Sequence, residues 1–189
     1  MPNVTYTNRR GRKYLLCKIF TKKGKPRYVF SLRPVGTPIA EMPPDHEIVE
    51  SVNGVVSLRR AGQTQIASAE VDVVRAEIAR HRHLVRYQVE PRKDALTVFE
   101  PIGIDVGELA SMFGASPTIF DFTNRHPRFD PVMRFILVDD QTRTFEVERM
   151  CYRGSMYGKW LPLHVQGPLA KLAGKYVRCI GTDDFFELY

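Results

Sequence analysis

Two runs of strand-forming residues, Tyr-Leu-Leu-Cys-Lys-Ile-Phe at 14–20 and Tyr-Val-Phe-Ser-Leu at 28–32, flank Thr21-Lys22-Lys23-Gly24-Lys25-Pro26-Arg27. That arrangement constrains the fold more than any other stretch, because Gly24 takes a positive φ without steric cost, as a bulged hairpin turn requires. Pro26 has no N–H to donate and sits at the loop edge, where none is missed. The spacing predicts a β-hairpin, and a two-stranded ribbon alone is marginal in water, so further strands or a helix must cover it. Alternation sets Leu15, Cys17 and Ile19 on one face and Tyr14, Leu16, Lys18 and Phe20 on the other. Neither face is polar throughout, so the arm is covered on both sides or presents an aromatic, basic face to a partner.

Charge singles out the same stretch. Of 28 Lys and Arg, ten lie in the first forty positions: Arg9, Arg10, Arg12, Lys13, Lys18, Lys22, Lys23, Lys25, Arg27 and Arg33. The first acid is Glu41, and the remaining chain holds 18 basic against 21 acidic residues, so the formal +7 is a property of the N-terminal fifth. This asymmetry points to a polyanionic partner, nucleic acid first. The bland reading is a solvated charge run that guards sheet edges against aggregation.

The chain is long enough, at 189 residues, for one substantial core or two small ones, with an ordinary globular share of apolar and charged side chains. No apolar run reaches the ~20 residues of a membrane helix and no apolar leader opens the chain, so a cytoplasmic, membrane-free protein is expected. Cys17, Cys151 and Cys179 are far apart and form no CxxC, which fits a reducing compartment.

Read in order, the pattern is α+β, with largely antiparallel strands and about three helices. A Pro-rich loop covers 35–47. Asn53-Gly54 joins strands at 47–50 and 55–60, so the first sixty residues form a sheet of three or four strands. The polar spacer 61–66 separates a basic β-rich subdomain, 1–66, from an α+β domain, 67–189. Ser68 caps a helix through about residue 82, with Val71, Val74 and Ile78 buried and a basic last turn. A hairpin at 84–101 turns at 91–94 and keeps one face solvated. A short helix at 104–113 follows, then an aromatic, turn-rich segment at 115–131. Strands at 133–138 and 145–152 pair across 139–143. A final helix, 167–180, opens with Pro168 in its first turn and carries the stripe Leu169, Leu172, Ala173, Tyr176, Val177 and Ile180. That stripe is expected on the sheet of the last two strands with Trp160 in the same core, and Phe185, Phe186 and Leu188 folded back onto it.

Candidate chemistry is sparse. His81 and His83 are two apart and share no helix face, so a basic helix end explains them better than a metal. Asp139, Asp140, Glu146 and Glu148 resemble the carboxylates of a metal-dependent nuclease, but Arg149 stands where a titrating Lys would serve and the aspartates suit a turn. Asp121, His126 and Asp130 flank the unassigned segment. Ser155 has no base placed by any motif, so acyl-transfer hydrolysis is not expected. No cofactor or catalytic residue is assigned.

The segments at 8–32, 54–60 and 134–163 resemble a family of uncharacterised bacterial proteins, and the similarity covers most of the chain without implying an activity. The N-terminal hairpin is also superficially similar to the DNA-reading sheets of AP2-type and integrase arm-type domains. A Pro-rich loop replaces their long helix, and no residue carries over. The expectation is therefore a non-catalytic nucleic-acid binder in which Arg9, Arg10, Arg12, Lys18, Lys22, Lys23, Lys25 and Arg27 form one positive face. Tyr14 and Tyr28 would stack unpaired bases there. The alternatives are a phosphodiesterase using the 139–148 carboxylates and an adaptor docking an acidic protein.

Overall fold

A computed structural model of the chain describes residues 2–103, 127–152 and 154–188. The chain divides into two compact units, one built on Met1–Gln63 and one on Thr64–Gly103 with Arg128–Tyr189. The strands are antiparallel throughout and two α-helices are described. The helix read at 104–113 lies outside the described residues.

The first unit contains β1 (Thr5–Thr7), β2 (Lys13–Phe20), β3 (Pro26–Ser31), β4 (Thr37–Pro38), β5 (His46–Glu50) and β6 (Val56–Arg60). β2 is its centre. β3 pairs along one edge, while β1 and β4 share the other, at Thr5↔Leu15 and Cys17↔Pro38. β5 and β6 form a separate hairpin, so the first sixty residues make two sheets, not one. β1 and β4 are too short for a sequence pattern, and their pairing is offered by the edge of β2. Leu16 and Cys17 point to opposite faces and both are fully buried, so β2 is covered on both sides at its centre.

Three turns of one kind shape this unit: Asn8-Arg9-Arg10-Gly11, Thr21-Lys22-Lys23-Gly24 and Ser51-Val52-Asn53-Gly54. In each, the glycine N–H donates to the first residue's carbonyl, at 2.8, 2.9 and 2.8 Å. The first side chain then accepts from the N–H four residues on: Asn8 Oδ1 from Arg12 at 2.9 Å, Thr21 Oγ1 from Lys25 at 3.2 Å, Ser51 Oγ from Val55 at 3.1 Å. This is the bulged hairpin turn whose last residue needs the left-handed region. Gly54, at φ +73°, has a second reason to lack a side chain: a Cβ there would meet Asn8 Nδ2 at 3.1 Å and the Arg10 side chain at 3.2 Å.

The second unit is a five-stranded meander, β7 (Gln88–Arg92), β8 (Ala95–Ile102), β9 (Arg128–Asp139), β10 (Thr144–Met150) and β11 (Trp160–Pro168), in sequence order across the sheet. Helix α1 (Ser68–Ala79) and helix α2 (Leu169–Tyr176) lie against each other and against strands of the sheet. The α2 stripe and its continuation, Leu169, Leu172, Ala173, Tyr176, Val177 and Ile180, joins one core with Met133, Phe135, Phe145, Val147 and Leu163.

Several local expectations need correction. Ala67, not Ser68, precedes the first turn of α1; its N–H donates to Glu70 Oε2 at 2.8 Å, so the acid three residues on does the capping. The helix ends at Ala79, and Arg82–Leu84 form a separate 3-10 turn before β7. The solvated face of this hairpin is confined to β7, where Gln88 and Arg92 are exposed; Ala95, Leu96, Thr97, Val98 and Phe99 of β8 are all buried, with the Arg92 guanidinium over the Phe99 ring. Gly167 and Pro168 close β11 and do not open α2, because Phe145 and Thr144 still pair with them. Trp160 lies outside the core, with the Arg134 guanidinium 4.4 Å from its ring centroid. Phe185 and Leu188 return to the core, but Phe186 stays 36% exposed.

Leu172→Ala removes a buried γ-branched side chain from that core and should cost about 2–5 kcal/mol in urea unfolding. A loss below ~0.5 kcal/mol, the range of exposed substitutions, would place α2 in water.

Candidate nucleic-acid interface

Most of the cations of the first forty residues fall into two groups, one at each end of β2. The Asn8–Gly11 turn precedes β2 and the Thr21–Gly24 turn follows it, so the arginine and lysine groups sit at opposite ends of an eight-residue strand. At about 3.3 Å per residue that separates them by roughly 25 Å. The sequence pattern hides this because the first turn lacks a recognisable strand before it.

The arginine end is largely committed to structure. Arg9 Nε lies 3.0 Å from Glu50 Oε1, and its guanidinium also donates to the Ser51 carbonyl. Arg10 donates to the Pro127 carbonyl at 2.9 Å. Tyr14 is half-buried with its hydroxyl toward the Gly54 carbonyl at 3.5 Å. Glu50 also accepts from the Tyr6 hydroxyl, and that bond to a carboxylate is the chief reason the Tyr6 phenol is held above its ordinary pKa. Arg12 is exposed, its backbone N–H donating to Asn8 Oδ1 and its carbonyl accepting from the Asn8 N–H.

At the other end Lys22, Lys23, Lys25 and Arg27 are exposed, and no carboxylate pairs with them among the described residues. Lys18 is half-buried, its ammonium 5.5 Å from the Phe20 ring centroid. Opposite it in register is Tyr28. Tyr28 borders two clefts within this unit. One, of ≈ 420 Å³, is lined by Lys18, Ile39, Glu41 and Met42 among others. The other, of ≈ 630 Å³, lies between β3 and β6 and includes Arg27, Phe30, His46, Leu58 and Arg60 in its lining.

His46 and Arg60 are absent from the sequence-level candidates, yet a signal existed. A turn centred on Asn53 makes residues 46 and 60 face each other, as they do across β5 and β6. The His46 ring meets Tyr28 edge-on at 6.4 Å, and its Nδ1–H donates to the Pro44 carbonyl at 2.7 Å.

Three of the four carboxylates read as metal-ligand candidates, Asp139, Asp140 and Glu148, are in local use. Asp139 accepts from the backbone N–H groups of Gln141 and Thr142 at 2.8 and 3.2 Å, and Asp140 pairs with Arg143. Glu148 pairs with Arg134. Arg149 points to the opposite face from Glu146 and Glu148 and donates to the Leu188 carbonyl at 2.8 Å. Among the described residues no three His, Cys, Asp or Glu side chains gather as a metal site would require. Asp121 and His126 lie outside those residues, whereas Asp130 is an exposed residue of β9. His81 sits 3.4 Å from Glu77, and His83 Nε2 donates to the Ile180 carbonyl at 3.0 Å. No helix among the described residues is long and apolar enough to cross a membrane.

Compared with known proteins, the chain matches no family model, no curated protein and no solved structure.

The role given to Asp139 has a pH signature. Its carboxyl is lowered by the Thr142 side-chain bond first, then by the backbone N–H groups of Thr142 and Gln141. A depressed folded pKa contributes stability that is present above the unfolded value, near 3.9, and is lost as pH falls through the folded one. NMR titration should give an Asp139 midpoint below 3.9, rising in Thr142→Ala. A midpoint at or above 3.9 would show that the carboxylate does not serve the turn.

Proposed function

We propose that the first unit binds nucleic acid through its sugar–phosphate backbone, without catalysis. The observation that carries this reading is the exposed, acid-free group Lys22, Lys23, Lys25 and Arg27 at one end of the β2–β3 hairpin. Clustered cations without counter-charges attract a polyanion by releasing its condensed counterions, and that gain depends on phosphate contacts, not on base identity. Glu47 and Glu50 lie elsewhere in the unit and are neutralised by Arg59 and Arg9. Among the described residues this unit has no helix to enter a major groove, so sequence preference is slight. The committed positions of Arg9, Arg10 and Tyr14 remove them from the contact set; Arg12 and Lys18 remain available.

Fluorescence anisotropy with labelled oligonucleotides over a salt series tests this. Relative to the wild type, a Lys22→Glu, Lys23→Glu, Lys25→Glu variant should bind more weakly, with a log–log salt slope shallower by about 2–3, at 0.7–0.9 per lost phosphate contact. No wild-type binding at ~50 mM salt, where such association is strong, would refute nucleic acid as the partner.

A further inference from the structure

We propose that the cleft between β3 and β6 seats a base of an unpaired strand against Tyr28, with Arg27 and Arg60 holding the flanking phosphates. This rests on the nucleic-acid reading and names the substrate class and contact point within it. The cleft measures ≈ 630 Å³, within the range of about 300–1,000 Å³ typical of ligand pockets. Its lining contains two arginines, a histidine, Tyr28 and Phe30, and no carboxylate.

Among the described residues, the charge in this cleft is uncompensated for a structural reason. Met1–Gln63 contains four acids, Glu41, Asp45, Glu47 and Glu50. Glu47 is taken by Arg59 and Glu50 by Arg9, while Glu41 and Asp45 do not line the cleft. Arg59 and Arg60 are neighbours on β6 and point to opposite faces, so the pair that neutralises Arg59 leaves Arg60 free on the cleft side. Arg60 stands across from His46, and His46 meets the Tyr28 ring, which places cation and aromatic in one continuous surface.

Tyr28 also differs from the other tyrosines of this unit. The hydroxyls of Tyr6 and Tyr14 are directed at Glu50 and the Gly54 carbonyl, whereas that of Tyr28 makes no hydrogen bond among the described residues. It is half-buried, lines both clefts and meets the His46 ring, so its ring is held in place without being packed shut. An aromatic ring fixed beside free cations suits base stacking with phosphate neutralisation, and a base within a duplex cannot reach such a ring.

The test uses the full chain and three fluorescent probes: oligothymidylate, an abasic deoxyribose-phosphate strand of equal length, and poly-glutamate. Tyr28→Leu should weaken oligothymidylate binding roughly 5- to 150-fold, the worth of one stacked base, and leave the abasic strand unaffected. Tyr28→Phe should retain wild-type affinity. Arg27→Gln with Arg60→Gln, both exposed sites, should make the salt slope shallower by about 1.4 on both phosphate probes. Equal weakening of both strands by Tyr28→Leu would overturn the stacking role. Poly-glutamate binding as tightly as oligothymidylate would overturn it in favour of an acidic peptide. Wild-type affinity in the leucine and glutamine variants alike would refute the cleft while the polyanion reading stood. Failure of the wild type to bind either strand would remove both.

Discussion

Asn8 fastens the first unit. The residue is 4% exposed and its side chain uses both ends: Oδ1 accepts from the backbone N–H groups of Arg10 and Arg12, and Nδ2 donates to the Gly54 carbonyl at 2.6 Å. A buried amide left without partners is costly, so such a group fixes one arrangement of the chain around it. The first hairpin turn is thereby held to the third, and Arg9, tied to Glu50 and Ser51, reinforces the same junction. The consequence for function is direct. The arginines nearest this junction become structural, and the free positive charge is displaced to the far end of β2 and to the cleft beside β3.

The second unit uses arginine differently, as a buried strut. Arg149 is 6% exposed and has its guanidinium on the Leu188 and Phe186 carbonyls and near the Phe185 ring, which holds the C-terminal turn to the sheet. Arg143 links the β9–β10 turn to α1 through Glu70, to Asp140 and to the Gln65 carbonyl. Tyr152 donates to Glu100 at 2.8 Å, and burial first, then that bond, drives its phenol well above the ordinary range. These groups satisfy one another within the unit. Much of the charge here is spent on packing, and among the described residues the carboxylates of β9 and β10 gather into no metal-binding group.

What the sequence made legible follows from interaction range. The β2–β3 and β5–β6 hairpins were readable because their turns are local and glycine marks the residue with positive φ. The α2 stripe was readable because helical periodicity repeats over several turns. Asn8-Arg9-Arg10-Gly11 has the same polar-x-x-Gly form as Thr21-Lys22-Lys23-Gly24, yet it was hidden by the shortness of β1 before it. The length of β9 and the extension of β11 into Pro168 depend on partners distant in sequence, so local propensity misplaced both boundaries. Trp160 was assigned to the core by hydrophobicity alone, whereas register turns it toward Arg134. Of the proposed interface, the cations are visible in composition; their division between structural and free is not, because it depends on which acid each one meets in the fold. His46 and Arg60 were derivable from hairpin register, which counts residues outward from Asn53.

The proposed ligand contact lies in the cleft beside β3, not along the whole basic stretch. The most direct measurement is a ¹⁵N–¹H correlation spectrum of the full chain, recorded while short oligothymidylate is added. Progressive shifts are expected at residues 27–30, 46 and 56–60, with the Lys22–Lys25 turn also responding and Asn8 and Gly54 unmoved. Shifts confined to the Asn8–Arg12 turn, or spread over the second unit with the cleft silent, would contradict it.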